Sequence, residues 1–190
     1  MSILVLTPIE DELNSLSSAL AERGIEGYSV SAGRLSARAY YEGKLILVRG
    51  GLGKVQFGLH ALHALDNVEG AGAVVCAGVA GGLSDAVSVG DVVVATATIE
   101  HDFNWPRGAR PSFEGDADYI SALKDLGLPP SSAFKLHFGP IASGDESIND
   151  GARAREIHDS TGALAVAWEG AGGARAAAFV DLPFLEVRGI

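Results

Sequence analysis

Short apolar runs rich in Val, Ile, Leu and Ala recur along the chain, and turn-forming or polar residues follow most of them. Runs of this length, bounded by turn signals, predict buried strands. The predicted strands are Ser2–Leu6, Arg38–Gly43 with Lys44–Arg49 as a hairpin, Ala71–Ala77, Asp91–Ile99, Phe134–Ala142, Leu164–Trp168 and Phe184–Ile190. Segments with apolar residues three or four positions apart separate several of them and predict helices.

The first helix has the clearest signals. Thr7 suits the N-cap, Pro8 fits the first helical position, Glu10 completes a capping box, and Gly24 ends the helix. Its apolar stripe consists of Ile9, Leu13, Leu16 and Leu20. Further helices are predicted at Lys54–Leu65, Asp116–Leu126, Asp150–Ser160 and Glu169–Phe179. Alternating strands and helices with one hairpin predict an α/β fold, a three-layer α/β/α sandwich with a central mixed sheet.

Composition fits one domain spanning residues 1–190, because a chain of 190 residues that is 47% hydrophobic can bury one large core. The formal net charge of −10 argues against binding nucleic acid or an anionic membrane through a basic surface. The single cysteine, Cys76, lies in an apolar run and is expected to be a small core residue. The N-terminus enters a strand without a signal-peptide pattern, so a cytoplasmic protein is expected.

Two glycine turns invite nucleotide-binding interpretations, and both fail on spacing. Gly50–Lys54 lacks the first Gly and the final Ser or Thr of a phosphate-binding loop, and Gly78–Gly82 does not fit the dinucleotide-binding pattern. Each turn nevertheless follows a strand, where open α/β sheets bind ligands. His101 and Asp102 form a possible metal or acid–base pair, but no second His or Cys cluster supports a metal site. The polar loop Glu100–Gly115 is expected to border a site.

Seven segments, in order along the whole chain, resemble the nucleoside phosphorylase/nucleosidase superfamily, and its 5′-methylthioadenosine/S-adenosylhomocysteine nucleosidase branch in particular. They are Ile3–Glu12, Gly50–Val55, Ala77–Leu83, Val89–Val94, Ser143–Asp145, Trp168–Gly170 and Pro183–Arg188. The resemblance implies hydrolysis of the N-glycosidic bond of a purine nucleoside, a homodimer, and a reaction without a metal or organic cofactor.

The resemblance also implies residue roles. Glu12 matches the carboxylate that activates the attacking water, and Glu169 matches the carboxylate that holds the ribose hydroxyls and favours a cationic sugar. Val79 and Gly81 match residues that line the ribose and water site. The backbone of Ile148 matches a purine contact, and Arg188 a residue that supports the catalytic acid. Inside a buried strand Arg188 would also need an anionic partner, and Glu186, Glu169 and the catalytic acid are the candidates.

That acid is an Asp just after the family's Val-Arg-x-Ile-Ser/Thr segment, and the sequence stops at Ile190, before the Asp and the family's closing helix. An apolar strand rarely ends a chain, so the expectation is either missing residues or a truncated version.

The sequence departs from the family where the base and the 5′-substituent bind. Ser147 stands where the family usually has an aromatic residue, and Ala167 and Trp168 replace Glu and Met before the ribose-binding Glu. Trp168 offers a substitute stacking surface for the purine. Methylthioadenosine, adenosylhomocysteine and futalosine, the substrate of a related hydrolase, therefore all remain candidate substrates, and so does another purine nucleoside.

Helix geometry distinguishes the three acids at the start of the first helix. At about 100° per residue, Asp11 projects away from the apolar stripe, while Glu12 lies on its flank and Glu10 on the other flank, where capping occupies it. Alternatively, all three acids only complement the helix dipole. Two other functions stay open: a phosphate-dependent phosphorylase, although Arg49 is the only Arg near the glycine turns, and a non-catalytic nucleoside-binding protein if the chain truly ends at Ile190.

Overall fold

The structure, a computed structural model, describes residues 1–103, 108–129 and 132–190. In these residues eleven strands form one mixed sheet, flanked by five α-helices. The strands are β1 Ser2–Thr7, β2 Tyr28–Ala32, β3 Leu35–Tyr40, β4 Leu45–Arg49, β5 Ala71–Val79, β6 Gly81–Gly82, β7 Val92–Glu100, β8 Ser112–Glu114, β9 Leu136–Ser143, β10 Ala165–Ala167 and β11 Phe184–Gly189. The helices are α1 Glu10–Ala21, α2 Gly53–Asn67, α3 Ala117–Leu126, α4 Gly151–Thr161 and α5 Gly170–Phe179.

The centre of the sheet is parallel, in the order β4-β1-β5-β11. Thr7 pairs with Arg49, and Val79 pairs with Gly189, so all four carboxyl ends meet at one edge. Parallel sheets bind ligands beyond this edge.

Strands β7, β9, β10 and β6 bring one end of the sheet back to that edge. Strand β7 is antiparallel to β11, β9 and β10 follow in parallel with β7, and β6 pairs antiparallel with β10. Only Ala80 separates β5 from β6, so the end of β10 must lie near the carboxyl end of β5. This closure places Trp168 and Glu169, which follow β10, beside the residues that follow β1 and β5.

Helices cover both faces of the sheet. In β5, Val74 and Cys76 face α2 and α5 in the main core, whereas Val75 packs in a second cluster with α3. A strand with apolar residues on both sides requires a helix layer on each face. The predicted three-layer α/β/α sandwich is therefore confirmed.

The start of the first helix differs from the prediction. Helix α1 begins at Glu10 with Ile9 as its N-cap, and Glu12, rather than Glu10, accepts a hydrogen bond from the Ile9 backbone N–H at 3.1 Å. Thr7 is unavailable as a cap because it is still the last residue of β1, and its hydroxyl donates to the Ile9 carbonyl. Capping therefore involves the acid that was expected to be free.

Other elements agree with prediction to within a few residues, but three short strands were not predicted: β2, β6 and β8. The predicted loop at 100–115 contains β8 and is described only in part, because positions 104–107 lie outside the described residues. Within the described ranges, no helix combines the length and apolar character needed to cross a bilayer.

Candidate active site

A cavity of about 250 Å³ lies at the carboxyl edge of β1 and β5. Its walls are residues 79–81 and 166–169, with Pro8, Ile9, Glu12 and Leu52. The closure of the sheet through β6 brings these segments together. Two acids, Glu12 and Glu169, border one mostly apolar space.

Glu12 is fixed by two backbone N–H groups. Its Oε2 accepts from Ile9 at 3.1 Å, and its Oε1 accepts from Val79 at 2.8 Å. The first bond ties the carboxylate to the start of α1, and the second ties it to the end of β5. Gly78 makes room for it, because an added side-chain carbon there would lie 2.6 Å from Glu12 Oε1.

Glu169 is almost fully buried, with 3% of its surface exposed, at the junction between β10 and α5. Its Oε1 accepts from the Gly53 backbone N–H at 3.2 Å, and its Oε2 pairs with Arg188 Nη2 at 3.2 Å. Burial raises the pKa of the Glu169 carboxyl, although Arg188 and the Gly53 N–H oppose the shift.

Arg188 lies beneath the cavity, fully buried in β11, and does not line it. Sequence reasoning left its anionic partner open among Glu186, Glu169 and the family's Asp; the structure pairs it with both Glu186, at 2.9 Å, and Glu169. Its Nη2 also contacts Cys76 Sγ at 3.1 Å. Burial raises the pKa of the Cys76 thiol well above its ordinary value, so Cys76 stays neutral.

The other predicted site residues divide into two groups. Val79, Gly81 and Trp168 line the cavity; Trp168 is 38% exposed, and its indole N–H donates to the Glu146 carbonyl at 2.9 Å. Ser147 and Ile148 lie outside its wall: the Ser147 hydroxyl accepts from Asn149, and Ile148 packs against the core cluster around Ile157. Their predicted purine contacts stay predictions.

Carboxylates also occupy the N-terminus of α2 beside the cavity. Besides Glu169 on Gly53, Asp145 accepts from the Lys54 backbone N–H at 2.9 Å. The Lys54 side chain pairs with Glu100 at 2.8 Å and with Asp102 at 2.5 Å. A helix N-terminus can bind an anion, and at this one the protein's own acids accept the hydrogen bonds of the Gly53 and Lys54 N–H groups.

His101, the other member of the pair with Asp102, is buried against Gly144, and burial lowers its pKa. Among residues 1–103, 108–129 and 132–190, no cluster of three or more His, Cys, Asp or Glu is arranged to hold a metal ion.

Sequence reasoning did not predict several contributors to the site. Leu52 lines the cavity, and the Ser143 hydroxyl holds the Trp168–Glu169 turn by donating to the Trp168 carbonyl and accepting from Ala171 at the start of α5. Thr98 donates to Glu186 at 2.6 Å. Leu52 and Ser143 lie in segments that resemble the family, although no role was assigned to them. Glu186 alternates with Arg188 in an apolar strand, which places both on one face of the sheet.

Comparison with known proteins identifies the family. The sequence profile of the family described as "Phosphorylase superfamily" matches residues 2–190. The chain belongs to this superfamily. The match covers nearly the whole chain and therefore includes every residue of the cavity.

Individual relatives agree with this assignment. A 5′-methylthioadenosine/S-adenosylhomocysteine nucleosidase from Exiguobacterium is 30% identical over 100% of this chain and 84% of its own length. The crystal structure of an S-adenosylhomocysteine nucleosidase from Streptococcus pyogenes, in complex with 5-methylthiotubericidin, has a TM-score of 0.83 and 26% identity, covering 100% of this chain and 82% of that one. A futalosine hydrolase mutant from Helicobacter pylori has a TM-score of 0.82 at 23% identity, over 100% of this chain and 89% of that chain, and so shows a shared fold.

Proposed function

We propose that residues 1–190 act as one nucleosidase-like domain that hydrolyses the N-glycosidic bond of a purine nucleoside and releases free base and sugar. The observation that carries this proposal is that Glu12 and Glu169 border the same small cavity. The similarity to named nucleosidases over the whole chain supports it. We further expect a cytoplasmic homodimer, as the resemblance and the sequence imply.

The two acids have separate roles because their surroundings differ. Glu12, held by the Val79 and Ile9 N–H groups, is the base that takes a proton from the attacking water. Glu169 is buried over Arg188 and supplies the negative charge that stabilises positive charge on the sugar and holds its hydroxyls.

Water fits the site as nucleophile better than phosphate does. A phosphate ion would meet Glu12 and Glu169 in the cavity, and the N–H groups of Gly53 and Lys54 at the end of α2 already donate to carboxylates. Arg188, the cation beneath the cavity, is shared between Glu169 and Glu186. Like charges repel, and phosphate binding needs free donors.

The base and the 5′-substituent set the choice of nucleoside. Among the described residues that line the cavity, Trp168 is the aromatic one, at the position where the nucleosidase branch usually has Met. We assign the purine contact to Trp168, with Ser147 and Ile148 as further candidates. The substrate class is a purine nucleoside of the methylthioadenosine, adenosylhomocysteine or futalosine type.

The experiment is product analysis in buffer free of phosphate. The protein is incubated with methylthioadenosine, adenosylhomocysteine or futalosine, and free base and sugar are separated by chromatography. We expect base release without phosphate. Strict dependence on added phosphate, with formation of a sugar phosphate, would make the protein a phosphorylase, and calorimetric binding without turnover would make it a nucleoside-binding protein.

The proton donor to the leaving base has its own test. In the family this donor is the Asp that follows the Val-Arg-x-Ile-Ser/Thr segment, and Val187–Ile190 match the start of that segment. The gene sequence beyond Ile190 is to be read for Ser or Thr followed by Asp. Finding this pair would identify the donor, and a different continuation would exclude it.

A further inference from the structure

A buried ionic cluster lies beneath the cavity and contains more acid than base. Arg188 and Glu186 have no exposed surface, and Glu169 has almost none. Arg188 Nε donates to Glu186 Oε1 at 2.9 Å, and Arg188 Nη2 donates to Glu169 Oε2 at 3.2 Å. Among the described residues, Arg188 is the one Lys, Arg or His side chain paired with either acid. Two carboxylates therefore share one positively charged partner.

Glu186 is held firmly in this arrangement. The Thr98 hydroxyl donates to its Oε2 at 2.6 Å, which is a short bond to a charged acceptor. Its carboxylate also packs directly against Gly170, where an added side-chain carbon would overlap it. The sequence thus keeps a small residue at the start of α5 beside this acid. Burying a second acid is costly, because a buried carboxylate loses its hydration.

Glu186 does not line the cavity, so it cannot act on a bound sugar directly. It does contact the same guanidinium as Glu169, from the Nε side. In a buried site, charges within hydrogen-bonding distance of a shared guanidinium act strongly on one another. Because Glu186 offsets part of the Arg188 charge, Arg188 cancels less of the negative potential that Glu169 produces in the cavity.

We propose that Glu186 is a positioning residue for the reaction: it offsets the charge of Arg188 and so keeps the Glu169 carboxylate effective towards positive charge on the sugar. This inference rests on the proposed function, since it needs a cationic sugar in the cavity. In this arrangement Arg188 orients Glu169 without neutralising it.

The predicted effect has a definite sign. The groups around Glu169 are Arg188 and Glu186 from β11, Cys76 from β5, the Gly53 N–H from α2, and Glu12 across the cavity. Removing the Glu186 charge leaves Arg188 acting on Glu169 alone. The pKa of Glu169 then falls, and its stabilisation of the sugar cation weakens.

The test is Glu186→Gln, which keeps the shape and removes the charge. We expect kcat to fall by about tenfold, the equivalent of one pKa unit, with KM changed by less than about twofold, and the acidic limb of the pH profile to move to lower pH. Carbon-13 NMR of labelled glutamate carboxyls, with the Glu169 signal assigned by its loss in Glu169→Gln, should show the same downward shift without any turnover. Loss of stability with an unchanged pH profile and an unchanged Glu169 titration would overturn the inference.

A second pair of variants decides the question if Glu186→Gln does not fold. Thr98→Val removes the hydroxyl that stabilises the charge on Glu186. With that charge less favoured, the pKa of Glu169 should fall as in Glu186→Gln, but by less. Thr98→Ser keeps the hydroxyl and should keep the wild-type titration. Identical titrations in the two variants would contradict the inference. Failure of the proposed function is distinguishable, because it appears as a wild-type protein without turnover, whatever the NMR titration shows.

Discussion

The two acids of the cavity illustrate how the surroundings of a side chain define its chemistry. Glu12 accepts two backbone hydrogen bonds, whereas Glu169 is buried and shares a guanidinium with another acid. Burial disfavours the ionised form of Glu169, and its fixed donors favour that form. The same residue type therefore has two environments within one cavity, as a base and a charge stabiliser require.

The raised pKa of Glu169 predicts how activity depends on pH. Glu169 must be ionised to stabilise a sugar cation, and burial holds its pKa above the ordinary value for Glu. As the pH is lowered, Glu169 should therefore take up a proton earlier than an exposed Glu would. Turnover should begin to fall at a correspondingly higher pH. The measurement is kcat against pH, and a profile that stays flat down to the titration range of an ordinary Glu would contradict this.

Individual residues were predictable where a pattern constrains them. Arg188 in an apolar strand required an acidic partner, and the structure supplies two. The predicted N-cap of α1 was wrong because Thr7 belongs to β1. Its pairing with Arg49 of β4, a residue distant in sequence, keeps it in the strand. Thr98 carries no local signal at all, since its bond to Glu186 joins positions 88 residues apart.

At the level of elements, the site depends on the close packing of α2 against α5. Gly172 on α5 lies against the backbone of Lys54, and Gly58 on α2 lies against the carbonyl of Gly172. These glycines let the two helix starts approach, which brings the Gly53 N–H to the Glu169 carboxylate. The small residues of α5 are visible in the sequence, but the sequence does not identify α2 as the helix that they contact.

Gly172→Ala tests this contact. Its new methyl group would overlap the Lys54 carbonyl, so the helices must separate. We expect a loss of about 1–3 kcal/mol in the free energy of unfolding, the usual cost of overpacking, measured by urea denaturation. Activity should fall as well, because Gly53 moves away from Glu169.

Gly151→Ala is the matched control, in the first turn of α4, where the added carbon meets only the end of the Arg155 side chain at 3.5 Å. Equal effects of the two substitutions would show that the α2–α5 contact has no special importance.

At the scale of the whole molecule, the cavity results from the order of the strands. The run β5-β11-β7-β9-β10-β6 returns to its start through Ala80, and this return places Glu169 opposite Glu12. Alternating strands and helices predicted the layers, and the family resemblance predicted the two acids. Neither predicted β6, because two glycines form no hydrophobic pattern and acquire their strand geometry only by pairing with β10.

The most direct test of the account compares Glu12→Gln with Asp11→Asn in base release from the wild-type protein's best nucleoside. Glu12→Gln keeps one acceptor oxygen for the two N–H groups of Val79 and Ile9, so it loses one of these hydrogen bonds. The fold should remain, but the amide cannot take a proton from water. We expect kcat to fall by at least about 100-fold in a protein that remains folded, as its melting curve shows, while Asp11→Asn, an exposed neighbour in the same turn, retains activity. Full activity in Glu12→Gln would contradict the assignment of Glu12 as the base and with it the proposed site.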